Sequence, residues 1–272
     1  MRFKHALALL CFMLTCASSM AASLVVDIGT KRVYTTEQLL ARGDAVTLHV
    51  PDDVVFHRTM TYRAVPLRAL LGEDAVKALP ANHELQITGT DGFVTHLPAN
   101  LVFNGTQATP WLAIESDNEK WPRLPNGDDI GPFYVVWIDP SASHITSEQW
   151  PYKVDAIRSA PTLTAKWPQI AVARNIPADS PIRKGQALFA AQCMACHKMN
   201  GAGDASMGPD LNLPHNPTEY LQPWVLKQFI RDPKSIRAWP DMKMHGFDKN
   251  AMSDGDIDNV IVYLRYMTHR KN

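Results

Sequence analysis

Five consecutive residues carry the clearest chemistry in this chain: Cys193, Met194, Ala195, Cys196 and His197. Two thiols three positions apart can form thioether bonds to the two vinyl groups of a haem, and the histidine that follows can offer an imidazole nitrogen to the iron. We therefore predict that Cys193 and Cys196 attach one haem c covalently and that His197 is an axial ligand of the iron.

Two other uses of a Cys-x-x-Cys pair fit the sequence less well. A thioredoxin-type redox pair follows a buried strand in a βαβ pattern, and no such strand precedes Cys193. A structural zinc site needs four ligands and usually contains a second Cys or His pair. Only scattered histidines remain elsewhere in the chain, so covalent haem attachment is favoured.

Haem iron takes a sixth ligand or keeps an open site, and a methionine thioether is the usual partner in electron-transfer haems. Further along the chain the sequence offers five candidate methionines: Met207, Met242, Met244, Met252 and Met267.

The C-terminal third, roughly residues 178–270, resembles the class I monohaem cytochromes c. The motifs that carry this resemblance are "CMACH", "MGPDLN", "MHGF" and the closing "DNVIVYLRYM". The resemblance implies an all-α cytochrome c domain over residues 179–272. It also implies that Met244 is the second axial ligand and that the carbonyl of Pro209 accepts a hydrogen bond from the ring of His197.

The sequence departs from the family pattern directly after Met244, where His245 stands in place of the usual proline. Met242 remains the main alternative ligand. His245 is a weaker one, because adjacent residues point apart and only one of the two can reach the iron. The resemblance further implies that Gly185 lets the last helix cross the first one closely.

The region in front of this domain, residues 22–160, reads as short strands separated by turn residues. "SLVVDI", "AVTLHV", "ELQITG", "WLAIES" and "FYVVWI" are the predicted strands. Helices are predicted around Thr35–Gly43, with Thr36 as a candidate cap, and over Pro66–Leu79. These patterns favour a mixed α+β domain. Residues 161–178 contain several prolines and no clean period, and are predicted to be a linker.

The α+β region resembles the molybdopterin-binding fold of the sulfite-oxidase type, in the segments "YRAVPLRALLG", "ITGTDGFVTHLPANLV" and "DIGPFYVVWI". That family ligates molybdenum with a cysteine thiolate, but this region contains no cysteine. No site residue is carried over, and molybdopterin is not expected. This region holds two other candidate sites. His57 and Met60 could bind copper. Asp52–Asp53 and Asp128–Asp129 could serve paired-carboxylate catalysis, although such acid pairs are more typical of turns.

Residues 1–21 have the pattern of a secretory signal peptide cleaved near Ala21: a basic start, a short apolar run and small residues. Cys16 raises a lipoprotein alternative, although Thr15 before it fits poorly. Cleavage removes Cys11 and Cys16, so the mature chain keeps only the two thiols of the haem motif. We therefore expect an exported protein of the periplasm. No later segment is predicted to span a membrane.

The sequence predicts an electron carrier more than an enzyme. The chain has 27 basic and 27 acidic residues, so nucleic acid is not an expected partner; redox proteins are. The first hypothesis is a carrier whose front domain is a docking or structural module. The alternative is the haem-bearing part of a periplasmic oxidoreductase, similar to a sulfite dehydrogenase, whose front domain oxidises a small substrate. A redox or ligand sensor is the third hypothesis.

Overall fold

The computed structural model describes residues 22–103, 108–143, 145–240 and 242–271. The predicted signal segment, residues 1–21, lies outside them. The described chain forms a mixed-sheet region up to about residue 161 and a helical region after it, each with its own buried core. Among the described residues no helix is both long and apolar enough to cross a membrane.

The mixed-sheet region contains two sheets that share one core. The strands are β1 (Ser23–Asp27), β2 (Lys31–Thr35), β3 (Val46–Asp53), β4 (Arg58–Pro66), β5 (His83–Gly89), β6 (Val94–Leu97), β7 (Thr109–Ile114), β8 (Phe133–Ile138) and β9 (Val154–Pro161). One sheet has the order β2-β1-β9-β5-β6 and the other β3-β4-β7-β8. Among the described strand pairs, β1 and β9 run parallel and the others antiparallel, so the first sheet is mixed.

Short helices accompany these sheets, and both short and longer helices build the helical region. The helices are α1 (Thr36–Leu40), α2 (Leu67–Leu71), α3 (Glu73–Lys77), α4 (Ala99–Phe103), α5 (Leu163–Lys166), α6 (Pro181–Leu188), α7 (Pro217–Tyr220), α8 (Pro223–Arg231), α9 (Pro233–Ile236) and α10 (Asp254–Thr268).

Two local predictions in the mixed-sheet region need correction. Thr35, not Thr36, caps α1: its side chain accepts a hydrogen bond from the backbone N–H of Gln38 at 3.2 Å. Thr36 is already inside the helix and is buried. The single helix predicted over Pro66–Leu79 is two helices, because Gly72 between them has a φ of +85°, which a right-handed helix cannot contain.

The helical region is organised by the crossing of α6 and α10. Gly185 lies on α6 where it meets Tyr263, and a β-carbon at Gly185 would lie 2.0 Å from the carbonyl oxygen of Asn259. The close approach that the family resemblance implies is therefore present. Helix α10 begins with a capping box, in which the Ser253 side chain accepts from the N–H of Asp256.

The segment predicted as a linker packs as part of the helical region. Leu163, Ile170 and Val172 are buried in its core. The hydroxyl of Tyr263 on α10 donates to the carbonyl of Ile170 at 2.7 Å. These contacts tie the end of β9 closely to the helices that follow it.

Candidate haem site

Helix α6 delivers the cysteine motif. Ser180 caps this helix by accepting a hydrogen bond from the N–H of Arg183. Beyond Leu188 the chain continues for one wider helical turn, Phe189–Cys193. There it reverses, because the N–H groups of Cys196 and His197 both donate to the carbonyl of Cys193, at 3.1 and 2.8 Å. This tight turn groups both cysteines and the histidine.

The two thiols are free and half-buried. Burial, with the nearby carboxylate of Glu148, raises the pKa of Cys193 far above its ordinary value. The same causes raise the pKa of Cys196 to about 12. Thiols of this kind stay neutral at physiological pH, whereas redox-active cysteine pairs depend on a lowered pKa. The surroundings of the motif therefore disfavour a thioredoxin-type pair.

The imidazole of His197 is neutral, and one of its two nitrogens makes a hydrogen bond. Its Nδ1 lies 2.9 Å from the carbonyl oxygen of Pro209. A carbonyl can only accept, so Nδ1 carries the proton and Nε2 keeps its lone pair. Burial lowers the pKa of His197, although the Pro209 carbonyl opposes the shift. No hydrogen bond to Nε2 is made within the described residues, so this nitrogen can ligate a metal.

Gly208 sets the position of this imidazole. A β-carbon at Gly208 would lie 2.5 Å from both Cε1 and Nδ1 of His197, closer than any side-chain carbon can approach. The N–H of Gly208 also donates to the carbonyl of Cys196 at 2.8 Å. The backbone of Gly208 and Pro209 thus forms a wall against one side of the ring, and the donor set fits a c-type haem.

Met244 lies on a loop that α8 secures. The guanidinium of Arg231 donates to the carbonyls of Phe247 and Met252, at 2.5 and 2.7 Å. A β-carbon at Gly246 would lie 2.2 Å from the carbonyl oxygen of Arg231, so the backbone of the loop rests directly on this helix. Phe247 is buried in the helical core.

Burial alternates along this loop. Met242 and Met244 are half-buried, whereas Lys243 and His245 are exposed. The structure therefore puts both candidate thioethers on the inner side of the loop. His245 instead turns outward and contacts Glu148 at 2.7 Å, and this hydrogen bond raises the pKa of His245.

The other methionines occupy different places. Met207 lies beside the motif, with its Sδ 4.0 Å from Sγ of Cys196, and it directly precedes Gly208 on the histidine side of the site. Met252 and Met267 are buried in the helical core.

The mixed-sheet region covers the cysteine motif, which sequence reasoning missed. The N–H of Val94 donates to the carbonyl of Ala195 at 3.1 Å, and Gln192 Nε2 donates to the hydroxyl of Thr146 at 2.9 Å. Gly92, with φ of +90°, packs against Ser206. No local sequence signal marks these contacts, since each partner comes from a separate strand or turn.

A polar cluster forms a second junction between the two regions. Asp204 accepts from Lys166 at 2.5 Å and from Gln86 at 2.8 Å. His96 on β6 lies between Asp204 and Glu84, with ring nitrogens 3.6 and 2.9 Å from their carboxylate oxygens. This cluster is built from three separate parts of the chain.

A cavity of about 210 Å³ opens at the junction of the two regions. The mixed-sheet region lines it with Asp91, Leu124, Asp128, Tyr152 and Lys153, and the helical region lines it with Met207 and Lys243.

The remaining candidates of the mixed-sheet region do not converge on a site. His57 is exposed in a turn while Met60 is buried in the core, so the two do not share a copper site. Asp53 is buried and accepts from the N–H groups of Val55 and Phe56, as a turn residue does. Among the described residues no three His, Cys, Asp or Glu side chains are grouped to hold a metal ion.

Comparison with known families bears on the helical region. The family model described as Cytochrome c matches residues 182–268, from the first turn of α6 to the end of α10, about a third of the chain. The matched region is a cytochrome c domain with haem c as its cofactor, and such a domain is typical of an electron-transfer protein. No curated protein matches the chain.

Proposed function

We propose that this protein is an exported cytochrome c that carries single electrons through one haem. Cys193 and Cys196 would hold the haem as thioethers, and His197 and Met244 would ligate its iron. The observation that carries the proposal is the hydrogen bond from Nδ1 of His197 to Pro209. Because Nδ1 carries the proton in this hydrogen bond, the lone pair of Nε2 is left to bind the iron. The free thiols of Cys193 and Cys196 belong to the same tight turn.

The bound haem supplies one-electron redox chemistry, and a methionine ligand raises its reduction potential relative to a second histidine. With both His197 and Met244 bound to the iron, no position would remain there for a substrate. Pro209 fixes the tautomer of His197 and tunes its basicity. The anchoring of the Met244 loop by Arg231 keeps the distal ligand in place as the charge of the iron changes.

Absorption spectra of the oxidised holoprotein test the ligand assignment. Met244→Ala should abolish the thioether-to-iron charge-transfer band and leave the haem covalently attached. Met242→Ala is the matched control, since Met242 lies two positions away and is also half-buried; it should keep the band. A band that survives in Met244→Ala and disappears in Met242→Ala would assign the ligand to Met242.

We also propose that the protein matures in the periplasm after cleavage near Ala21. The support is the signal-like pattern of residues 1–21 and the placement of both remaining cysteines in the haem motif. The N-terminal residue of protein purified from its export pathway tests this. A mature chain that still begins at Met1 would contradict it.

For the mixed-sheet region we propose the sulfite-oxidase-type fold used as a docking or structural module for redox partner proteins. The strands of the described residues, which form a mixed and an antiparallel sheet around one core, support this fold. The absence of cysteine from residues 22–192 argues against a molybdenum ligand of that family.

One observation favours the alternative, a periplasmic oxidoreductase. The cavity at the junction is lined by charged residues of the mixed-sheet region and by Met207, which contacts Cys196. A small polar substrate bound there would lie beside the haem motif. Metal and pterin analysis of the native protein separates the two functions: one molybdenum per chain would favour the enzyme.

A further inference from the structure

The loop that carries Met244 is held to the mixed-sheet region by the residues on either side of this methionine. His245 Nε2 lies 2.7 Å from Oε1 of Glu148, and Lys243 Nζ lies 3.6 Å from Oδ2 of Asp128. Adjacent side chains of an extended segment point to opposite sides. The two contacts therefore hold the outer side of the loop, opposite the side on which Met244 is half-buried.

The two contacts differ in strength. The Lys243 and Asp128 side chains are 54% and 46% exposed, and ion pairs between exposed groups contribute little. The Glu148 side chain is only 3% exposed. Its Oε1 accepts from the Ser147 hydroxyl at 3.1 Å within the same turn and contacts His245 of the Met244 loop. Removing a partner from a buried carboxylate is costly, so the contact between Glu148 and His245 contributes more than the one between Lys243 and Asp128.

Glu148 lies in a short turn that is held by hydrogen bonds at both ends. It belongs to a single helical turn, Ser147–Gln149, that begins with a capping box between Thr146 and Gln149. The indole of Trp137 donates to the carbonyl of Gln149 at 2.7 Å and fixes the other end of the turn.

The same turn also holds the cysteine motif. The hydroxyl of Thr146 accepts from Nε2 of Gln192 at 2.9 Å, and Gln192 directly precedes Cys193. One short turn of the mixed-sheet region thus contacts the haem-attachment segment through Thr146 and the Met244 loop through Glu148.

We infer that Glu148 is a positioning residue for the distal ligand: the turn Ser147–Gln149 sets the spacing between the haem-attachment segment and the Met244 loop. This inference rests on the proposed function, in which Met244 ligates the iron. According to this inference, the mixed-sheet region keeps Met244 bound to the iron and prevents other ligands from replacing it.

Carbon monoxide binding to the reduced holoprotein measures how readily Met244 leaves the iron, because the gas competes for that position. Glu148→Ala should raise the association rate of carbon monoxide on the order of tenfold, as expected for loss of a hydrogen bond to a charged group. It should also weaken the charge-transfer band of the oxidised protein. Glu148→Gln keeps an acceptor oxygen for His245 and should restore much of both properties.

Asp204→Asn is the matched control. It weakens the other polar junction between the two regions, at Lys166 and His96, but leaves the turn Ser147–Gln149 intact. It should bind carbon monoxide at the wild-type rate. An equal increase in Asp204→Asn and Glu148→Ala would overturn the inference, because general loosening of the junction would then be the cause.

A second variant covers the case in which Glu148→Ala does not fold. His245 is 53% exposed, so His245→Ala should fold and should also raise the rate. A wild-type rate in His245→Ala would overturn the inference. Met244→Ala separates this failure from failure of the proposed function: if it loses the band while Glu148→Ala and His245→Ala behave as wild type, Met244 is the ligand and only the positioning role is refuted.

Discussion

Replacing Gly185 by alanine tests the helix crossing that supports the haem motif. The new β-carbon would lie 2.0 Å from the carbonyl oxygen of Asn259 and 2.8 Å from Cβ of Tyr263. Ordinary carbon contacts begin near ~3.5 Å. The atoms in the way belong to the α10 backbone and to the base of a buried side chain, so a change of rotamer cannot relieve the clash and the two helices must separate.

We expect Gly185→Ala to lower the free energy of unfolding by more than the addition of a methylene to an ordinary packed core does. Added methylenes in a packed core cost about 1–3 kcal/mol, and occasionally more, when side chains can adjust. Here two backbones must move apart by more than an ångström, so we expect Gly185→Ala to destabilise the helical region by about 3 kcal/mol or more. Because α6 leads directly into the turn with Cys193, we also expect a lower yield of attached haem.

Denaturant titration of the holoprotein, followed by haem absorbance, is the assay, because this signal reports on the helical region rather than on both regions together. Gly255→Ala is the matched control. Gly255 lies in the first turn of α10, where a β-carbon would meet only the Ser253 hydroxyl at 3.8 Å. Alanine there should be neutral or stabilise by up to about 1 kcal/mol. A midpoint for Gly185→Ala equal to that of Gly255→Ala would refute the close crossing.

Two further predictions concern the junction and the histidine ligand. Burial lowers the pKa of His96, but hydrogen bonds to Asp204 and Glu84 outweigh it and raise the pKa above 6.5. Its stabilising contribution is therefore complete below pH 6.5 and is lost as pH rises through the raised pKa. The resulting fall in the unfolding free energy above pH 6.5 should be absent in His96→Gln, and an unchanged pH profile would contradict the ion-pair role. Gly208→Ala should displace the ring of His197 and alter the electron paramagnetic resonance spectrum of the oxidised haem, while a wild-type spectrum would contradict the 2.5 Å approach.

The sequence predicted the parts of the fold that depend on neighbouring residues. The capping box of α10 and its apolar stripe are visible in the sequence, because both arise from residues three or four positions apart. β8 was predicted with its observed bounds, since a run of β-branched and aromatic residues is buried on both faces. β4 was missed, although the alternation of buried Met60, Tyr62 and Ala64 with exposed Thr61 and half-buried Arg63 is the signal that would have predicted it.

Other elements carried no local signal. β2 is an edge strand with exposed Lys31 and Val33, so no buried face imposes an alternating pattern on it. β9 lies in the middle of its sheet, but polar residues interrupt its apolar positions and it ends at Pro161. The linker prediction for residues 161–178 missed that Leu163 and Ile170 complete the second core, because isolated apolar residues among prolines do not show which surface they will contact.

The sequence by itself predicted the chemistry of the Cys193–His197 motif, since two thiols and an imidazole within five residues can be grouped by a single tight turn. It also limited the candidates for the second iron ligand to a few methionines. Only the tertiary structure decided that the mixed-sheet region covers this motif and reaches the Met244 loop. Glu148 and His245 stand 97 positions apart, and nothing in the residues around either one indicates the other. The two residues come into contact because the two regions, each with its own core, pack against each other. That packing depends on the whole chain and not on any local sequence pattern.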